Sequence, residues 1–536
     1  MYRRIAEIAS VLSLCCAAVS TTQAKHDELV IKTESGLVEG THSVDYPNVV
    51  FFFGIPYAAP PVGALRWKPP QPPARWHGVR KADELSAACP HSDDIFKLRQ
   101  RILAQIGGDP SKLRPYDKKS EDCLYLNVMT THPGSSERRP VMVFIHGGSG
   151  VVGRGDDGGA ALAAAGAVVV TFNYRLGILG WLAHPALTAE SAERSSGNYG
   201  LLDQIAVLQW VRRNIAQFGG DPENVTLFGV SSGGEYVGCL MISPLAHGFF
   251  HRAIMQSGVP LDLHPSIHHP GGEVQAAEEP GVKLAHSLEA GDGPDALKRL
   301  RLIPADELVG ESLPYDISVD GWVIPDQPLA MFARGQQGDI PVMVGSTERE
   351  FSNLILLFPD HSSEGFRTQV RRSFPSIADD VLRIYPAPAS GDATESFVRA
   401  ETELTMIGPA RWLAGAMLKK RSKAYLYNLT WAFSSKGGQE LGAFHSIDIV
   451  LLFHIPGVPW DKSADALAQV MRRYWVQFAT TGDPNASGLS NWPAYDSATG
   501  SYLELGMQTR RAGALHEDAF QLINRLYRTR LTALTP

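Results

Sequence analysis

Gly229-Val230-Ser231-Ser232-Gly233 sets a serine between two glycines at the end of an apolar stretch, Val225 to Val230. The G-x-S-x-G spacing suits a tight strand-to-helix turn that lifts the serine hydroxyl above a sheet and aims the next N–H at a developing oxyanion. The chemistry would be attack by Ser231 on an acyl carbon. Such a nucleophile needs a base, a carboxylate to orient the base, and donors for the oxyanion. Upstream, His146-Gly147-Gly148-Ser149 has the make-up of an HGGG-type loop, whose backbone N–H groups can serve as those donors. Each preorganised donor lowers a barrier by ~3 kcal/mol. Taken singly, the same residues also describe a glycine-rich turn with a structural serine, and His146 alone reads as a structural loop residue. The strand before Ser231 and the helix after it are what favour the chemical reading.

The elements that must hold these groups follow from periodicity. Pro140–His146 and Ala167–Tyr174 are buried apolar runs, and Val225–Val230 and Pro341–Gly345 are two more. Leu202–Phe218 carries Ile205, Leu208, Val211, Ile215 and Phe218 at helical spacing and stops at Gly219-Gly220. Strands alternating with helices imply a mostly parallel sheet covered on both faces.

With 536 residues, 44% hydrophobic and 20% charged, the chain can bury a large core. No linker, repeat or low-complexity tract divides it, so residues 25–536 are expected to form one elaborated domain. The net charge of −7 gives no reason to expect a nucleic-acid partner. Arg3 and Arg4, the apolar stretch Ile8 to Val19 and Thr22-Gln23-Ala24 have the layout of a cleavable signal peptide over residues 1–24. The stretch is shorter than the ~20 residues a spanning helix needs. A lipid anchor at Cys15 or Cys16 and an uncleaved amphipathic helix are the competing readings; export to the periplasm or medium is the expected one. Outside that segment, Cys89, Cys123 and Cys239 allow one disulfide and one spare thiol, without the paired spacing of a zinc site.

Further landmarks make a resemblance specific. Glu121-Asp122-Cys123-Leu124-Tyr125-Leu126-Asn127, Gly54-Ile55-Pro56-Tyr57-Ala58, Asn198-Tyr199-Gly200-Leu201-Leu202-Asp203-Gln204 and Asn491-Trp492-Pro493, with the span around Ser231, resemble the type-B carboxylesterases. That family includes p-nitrobenzyl esterases, animal carboxylesterases and cholinesterases, and the resemblance covers about residues 28–510. It implies an α/β-hydrolase fold: a mostly parallel central sheet, helices on both faces, and large inserted loops covering an active-site gorge. It implies a triad in the order Ser, acid, His. Gly345-Ser346-Thr347-Glu348-Arg349-Glu350 resembles the family's G-x-x-x-x-E, which selects Glu350 over Glu348 as the acid. Gly442-Ala443-Phe444-His445-Ser446-Ile447-Asp448 resembles G-A-x-H-G-x-E/D, which makes His445 the base. The backbone N–H groups of Gly148, Ser149 and Ser232 would form the oxyanion hole. The resemblance also implies a Cys89–Cys123 disulfide at the pocket rim, a free Cys239, and ion pairs Arg66–Glu121 and Arg175–Asp203. It implies no cofactor and no metal; the histidines 264, 268 and 269 read as a solvated loop.

Departures from the family carry information. Val230 stands where a glutamate is usual, which removes an anion beside the reacting centre. Ser232 replaces an alanine, Phe351 a glycine, and Ser149-Gly150 a glycine and an aromatic, which would open the pocket wall. The Cys89–Cys123 loop has no tryptophan but carries Lys97, Arg99, Arg101, Lys112, Arg114, Lys118 and Lys119. A quaternary ammonium wants an aromatic face and a negative field, so a choline-ester specialist is not expected. Neutral esters are the default, and anionic esters remain open against a merely solvated basic face. A serine esterase acting on small-molecule esters, monomeric and without stable membrane insertion, is the expectation. Amidase, thioesterase or acyl-transfer chemistry on the same triad is the alternative. A non-catalytic binding protein is disfavoured by the presence of Ser231, Glu350 and His445.

Overall fold

The computed structural model of the chain describes residues 29–534, apart from 117, 156–157, 268–274, 292–294 and 315. The leader expected over residues 1–24, with Cys15 and Cys16, lies outside the described residues. Strands β1 (Val30–Lys32), β2 (Leu37–Glu39) and β5 (Val79–Lys81) make a small sheet. The large sheet takes β3 (Thr41–His42), β4 (Val50–Pro56), β6 (Tyr125–Thr130), β7 (Arg139–Ile145), β8 (Val168–Phe172), β9 (Gly220–Val230) and β10 (Arg252–Gln256). It continues with β11 (Val342–Thr347), β12 (Ala424–Leu429), β13 (Tyr502–Leu505) and β14 (Arg510–Ala512). Its eleven strands run in the order β14-β13-β12-β11-β10-β9-β7-β8-β6-β4-β3. From β13 across to β8 every pairing is parallel, and the flanking pairings are antiparallel.

The apolar runs read as strands occupy this parallel centre, where both faces are covered and neither residue set can be polar. Successive side chains of a strand point to opposite faces. In β7, Val141, Val143 and Ile145 therefore join one core while Met142 and Phe144 join the other. The same alternation splits Leu227 from Phe228, Met255 from Ile254, and Val344 from Met343. The helices Tyr199–Asn214 and Ser232–Ile242 cover the first core, and Ile447–Phe453 and Lys462–Thr481 cover the second. The helix expected over Leu202–Phe218 begins three residues earlier, and its last turn, Ile215–Phe218, tightens before Gly219 at φ 81°.

The long inserts differ from the expected loops. Between β10 and β11 lie the helices Glu278–Ser287, Ala296–Leu302, Ala305–Val309 and Pro328–Arg334. Between β11 and β12 lie Ser363–Ser373, Ala378–Ile384, Thr394–Thr402 and Gly408–Met417. Inserts this long would leave many backbone groups unpaired if irregular, and short helices satisfy them locally.

The disulfide Cys89–Cys123 forms, and Cys239 is free and buried in the helix Ser232–Ile242. Both expected ion pairs form. Arg66 donates to Glu121 at 2.7 and 2.5 Å. Arg175, 3% exposed, donates to both oxygens of the fully buried Asp203 at 2.8 Å, and its own N–H binds the same carboxylate at 3.0 Å. A buried pair loses more when one partner goes than it gains over an apolar pair, because the survivor is stranded. Asp203→Ala is accordingly expected to destabilise the fold by about 3–5 kcal/mol, and a joint Arg175→Met, Asp203→Leu change by much less. Chemical-denaturation midpoints of the three proteins check this.

Candidate active site

Ser231 terminates β9 and caps the next helix at φ 58°, ψ −132°, a backbone conformation that a non-glycine residue adopts only under constraint. The constraint is steric collapse around the turn. A Cβ on Gly229 would run into Gly233 and Ile145 O, one on Gly233 into Ile145 O and His146 O, and one on Gly258 into Ser231 O. The two motif glycines thus let β9 and its helix fold back against the end of β7. Ser231 N donates to Gln256 O at 2.8 Å, while Gly234 and Glu235 donate to Ser231 O at 2.9 and 3.1 Å. The turn is pinned from both sides.

His445 and Glu350 meet in a buried contact. His445 Nδ1 lies 2.5 Å from Glu350 Oε2, and the carboxylate is wholly buried. Glu350 Oε1 accepts from Thr347 N at 2.7 Å, which returns the acid to the end of β11. Asn353 clasps the other partner: its Oδ1 accepts from His445 N at 3.1 Å and its Nδ2 donates to His445 O at 3.4 Å. Burial disfavours the charged ring, but the charge and hydrogen bond of Glu350, with Asp448 behind, outweigh it and raise the His445 pKa above its ordinary value. Glu348, the rejected neighbour, is occupied elsewhere. It accepts from Asn428 Nδ2 at 2.5 Å and sits 3.1 Å from His516 Nε2.

The loop 146–150 packs against the serine turn, since a Cβ on Gly147 would stand 2.7 Å from Val230 O and 2.9 Å from Ser231 Cβ. Gly148, Ser149 and Gly150 all have positive φ, at 117°, 53° and 66°. Val151 and Val152 donate back to Gly148 O at 3.0 and 3.2 Å, and Trp181 Nε1 donates to Gly150 O at 2.8 Å. Behind the loop, His146 stacks on Tyr174, whose hydroxyl donates to His146 O at 2.7 Å. His146 is structural. The opening expected at Gly150 is not there: the space its side chain would take is filled by Tyr236 OH, Trp181 Nε1 and Asp316 Cβ.

The fold therefore joins His445 to Glu350 and sets the loop 147–149 against Ser231. Among the described residues no hydrogen bond links Ser231 Oγ to the imidazole, a contact that often tightens only around substrate. Val230, 6% exposed, belongs to the apolar core, and Phe351 is likewise buried. The basic loop is a solvated face: Lys97, Arg101, Lys112, Arg114 and Lys118 are exposed, and Lys119 pairs with Asp93 at 2.5 Å. An open cleft of about 430 Å³ lined by Arg80, Lys81, Asp83 and Glu84 includes none of the candidate residues. His264 departs from the solvated loop expected of it. It is 6% exposed and its Nε2 lies 3.7 Å from Glu235 Oε1; His268 and His269 lie outside the described residues.

The sequence reading included Asp448 in the motif around His445 but gave it no role of its own. Asp448 is wholly buried and accepts from Gln256 Nε2 at 2.7 Å and Tyr427 OH at 2.8 Å. Gln256 O holds Ser231 N, so Asp448 braces the serine turn and charges the field around His445 together. Its place three residues after His445 was the available signal. The role depends on side chains from β10 and β12, which spacing alone does not bring together.

The profile of the "Carboxylesterase family" matches residues 27–523. A "Fumonisin B1 esterase" of Sphingopyxis macrogoltabida is 34% identical over 506 residues, covering 91% of this chain and 88% of that one. A "Para-nitrobenzyl esterase" of Bacillus subtilis (strain 168) is 33% identical over 489 residues, with 88% and 93% covered. A solved PNB esterase superposes with a TM-score of 0.77 at 29% identity, over 92% of this chain and 100% of its own.

The His445–Glu350 contact has a pH signature. Turnover that needs neutral His445 should lose activity on the acid side at a pH above that of an ordinary imidazole. Replacing Glu350 by Gln removes the largest influence that raises the ring, so the acid limb of kcat/KM is expected to move to lower pH. The plateau should also fall by about 10³–10⁴-fold, since the tautomer and imidazolium lose their support. A pH–rate profile of both proteins checks direction and size.

Proposed function

The chain belongs to the carboxylesterase family and is a carboxylic ester hydrolase, and we propose that it works through an acyl-enzyme on the triad Ser231, His445 and Glu350. The observation that carries this assignment is the buried 2.5 Å contact between His445 Nδ1 and Glu350 Oε2. That contact fixes the proton on Nδ1 and leaves Nε2 as the base. Ser231 Oγ attacks the ester carbonyl carbon while its proton passes to His445 Nε2. The carbonyl oxygen becomes an oxyanion held by the N–H groups of Gly148, Ser149 and Ser232. Collapse breaks the bond to the alcohol oxygen, which takes the proton from His445 as it leaves. Water then repeats the sequence on the acyl-enzyme, releasing the acid and restoring Ser231.

Several features support this division of labour. Ser231 is held in a strained conformation that an ordinary turn would relax. Ser232 begins the helix, so its N–H is free of intrahelical bonding. The loop carrying Gly148 and Ser149 is braced from behind by Tyr174 and Trp181, which suits donors that must not reorganise during reaction.

We also propose that the protein is exported. The disulfide is at home in an oxidising compartment, and none of the described helices is long and apolar enough to cross a membrane. The leader-like layout of residues 1–24 supplies the route.

Hydrolysis of p-nitrophenyl esters from short to long acyl chains tests the esterase assignment. The wild type is expected to hydrolyse the series and Ser231→Ala to lose at least about 10³-fold. A stoichiometric mass increase on an organophosphate probe, absent in Ser231→Ala, should mark the same residue. Activity that survives the substitution would reassign the nucleophile.

A further inference from the structure

The ground beside Ser231 holds ionisable side chains that ester cleavage does not use. Glu235 lies four residues past Ser231 on the helix Ser232–Ile242. Helical side chains lean toward the N-terminus of their helix, so Glu235 reaches back along the face that carries the nucleophile. Its side chain keeps 23% exposure and stands 3.7 Å from His264 Nε2. Asp316 comes from the insert between β10 and β11 and accepts from Tyr236 OH at 2.5 Å. Its Cβ would be 3.0 Å from a Cβ on Gly150, the residue after Ser149. The two carboxylates thus flank the nucleophile helix and the oxyanion loop.

Among the described residues no lysine or arginine comes within ion-pair distance of Glu235 or Asp316. A third acid, Asp262, is exposed and paired with Arg530 at 3.2 Å. His264 is no substitute cation, because burial takes its pKa down to about 4 against the pull of Asp262. Its Nε2 is buried and has no hydrogen-bond partner among the described residues. Burial, then the charges of Asp316 and Asp262, push the Glu235 carboxyl well above its ordinary value, and burial raises Asp316 despite the Tyr236 hydrogen bond. The Tyr236 phenol and Cys239 thiol on the same helix are pushed up by burial and stay neutral. The Glu235 carboxyl and the buried His264 Nε2 are left without a hydrogen-bond donor among the described residues, and Asp316 beside them holds the Tyr236 hydroxyl. A buried acceptor without a donor costs free energy until one arrives.

We propose that Glu235, Asp316 and His264 form a subsite for an ammonium group on the acyl chain of the substrate. A primary ammonium has three donors and no acceptor, one each for Glu235 and His264 Nε2 and one for the acceptor capacity a carboxyl keeps at Asp316 beside the Tyr236 hydroxyl. The acyl side is indicated because the leaving alcohol must lie toward His445, which protonates it. Glu235 and Asp316 belong instead to the surroundings of the nucleophile helix and the oxyanion loop. The subsite deepens the esterase assignment and rests on it.

Three p-nitrophenyl esters of similar length test it: the ε-aminocaproate, the heptanoate and the adipate monoester, which carry a cation, no charge and an anion. In the wild type kcat/KM for the ammonium ester is expected to exceed that for the heptanoate by about tenfold, the worth of one charge-assisted hydrogen bond. In Glu235→Gln and in Asp316→Asn that ratio should fall toward unity, with an unchanged thermal-unfolding midpoint certifying that each variant is folded. Equal rates for the two esters in the wild type, a preference for the adipate, or a ratio that survives both substitutions overturns the subsite and leaves the esterase assignment standing. Failure of the wild type to hydrolyse any of the three overturns both.

Discussion

Backbone packed directly on backbone at the end of β9 is the contact on which the rest of the site depends. A serine at positive φ relaxes unless its surroundings forbid it, and here three glycines allow neighbouring main chains to close in until no relaxation is possible. Gly229 and Gly233 admit the end of β7, and Gly258 admits the Ser231 carbonyl. The strain is held by the parallel pairing of β9 with both β7 and β10, each buried on its two faces. The sheet is thus the vice that keeps the serine in an unfavourable conformation.

Around that turn, the acids differ in how they are held. Glu350 is wholly buried, and its carboxyl is satisfied by Thr347 N and His445 where water does not reach. Asp448 is equally buried, raised by burial and tied to Gln256 and Tyr427. Its bonds couple β10, β12 and the helix Ile447–Phe453, so the imidazole and the serine turn share one brace. Beside the nucleophile helix the surroundings change, since Glu235 and Asp316 have no lysine or arginine partner among the described residues. Val230 removes the acid expected next to the nucleophile, and two other carboxyl groups, Glu235 and Asp316, stand by the nucleophile helix and the loop after Ser149.

How much of this could be read from residue order depends on how local each feature is. The glycines of G-x-S-x-G, the loop 146–149 and the alternating apolar strands are local, and each landed where its spacing put it. The resemblance to carboxylesterases pointed to Glu350 over Glu348; in the fold Glu350 meets His445, while Glu348 meets Asn428 and His516. The disulfide and both ion pairs came the same way. What stayed hidden was convergence from distant segments. Asp316 lies in an insert read only as loop, and His264, taken for a solvated residue, is buried against Glu235. Gly150 misled for a related reason: the missing aromatic suggested space, but Tyr236 and Trp181 enter that space from elsewhere.

The distances along the chain between the paired groups bear on how the protein comes into being. Glu350 and His445 are 95 residues apart, and Asp448 reaches its partner Gln256 across 192. Each of these contacts waits for a parallel crossover to close, and such non-local pairings carry a loop-closure cost before they return any stability. A nascent chain can therefore make its local helices and the strand ahead of Ser231 while it still lacks any working centre. Competence arrives only when β10, β11 and β12 have docked in register. Recovered activity during refolding is for that reason a clock for the last, slowest stage of sheet assembly rather than for collapse.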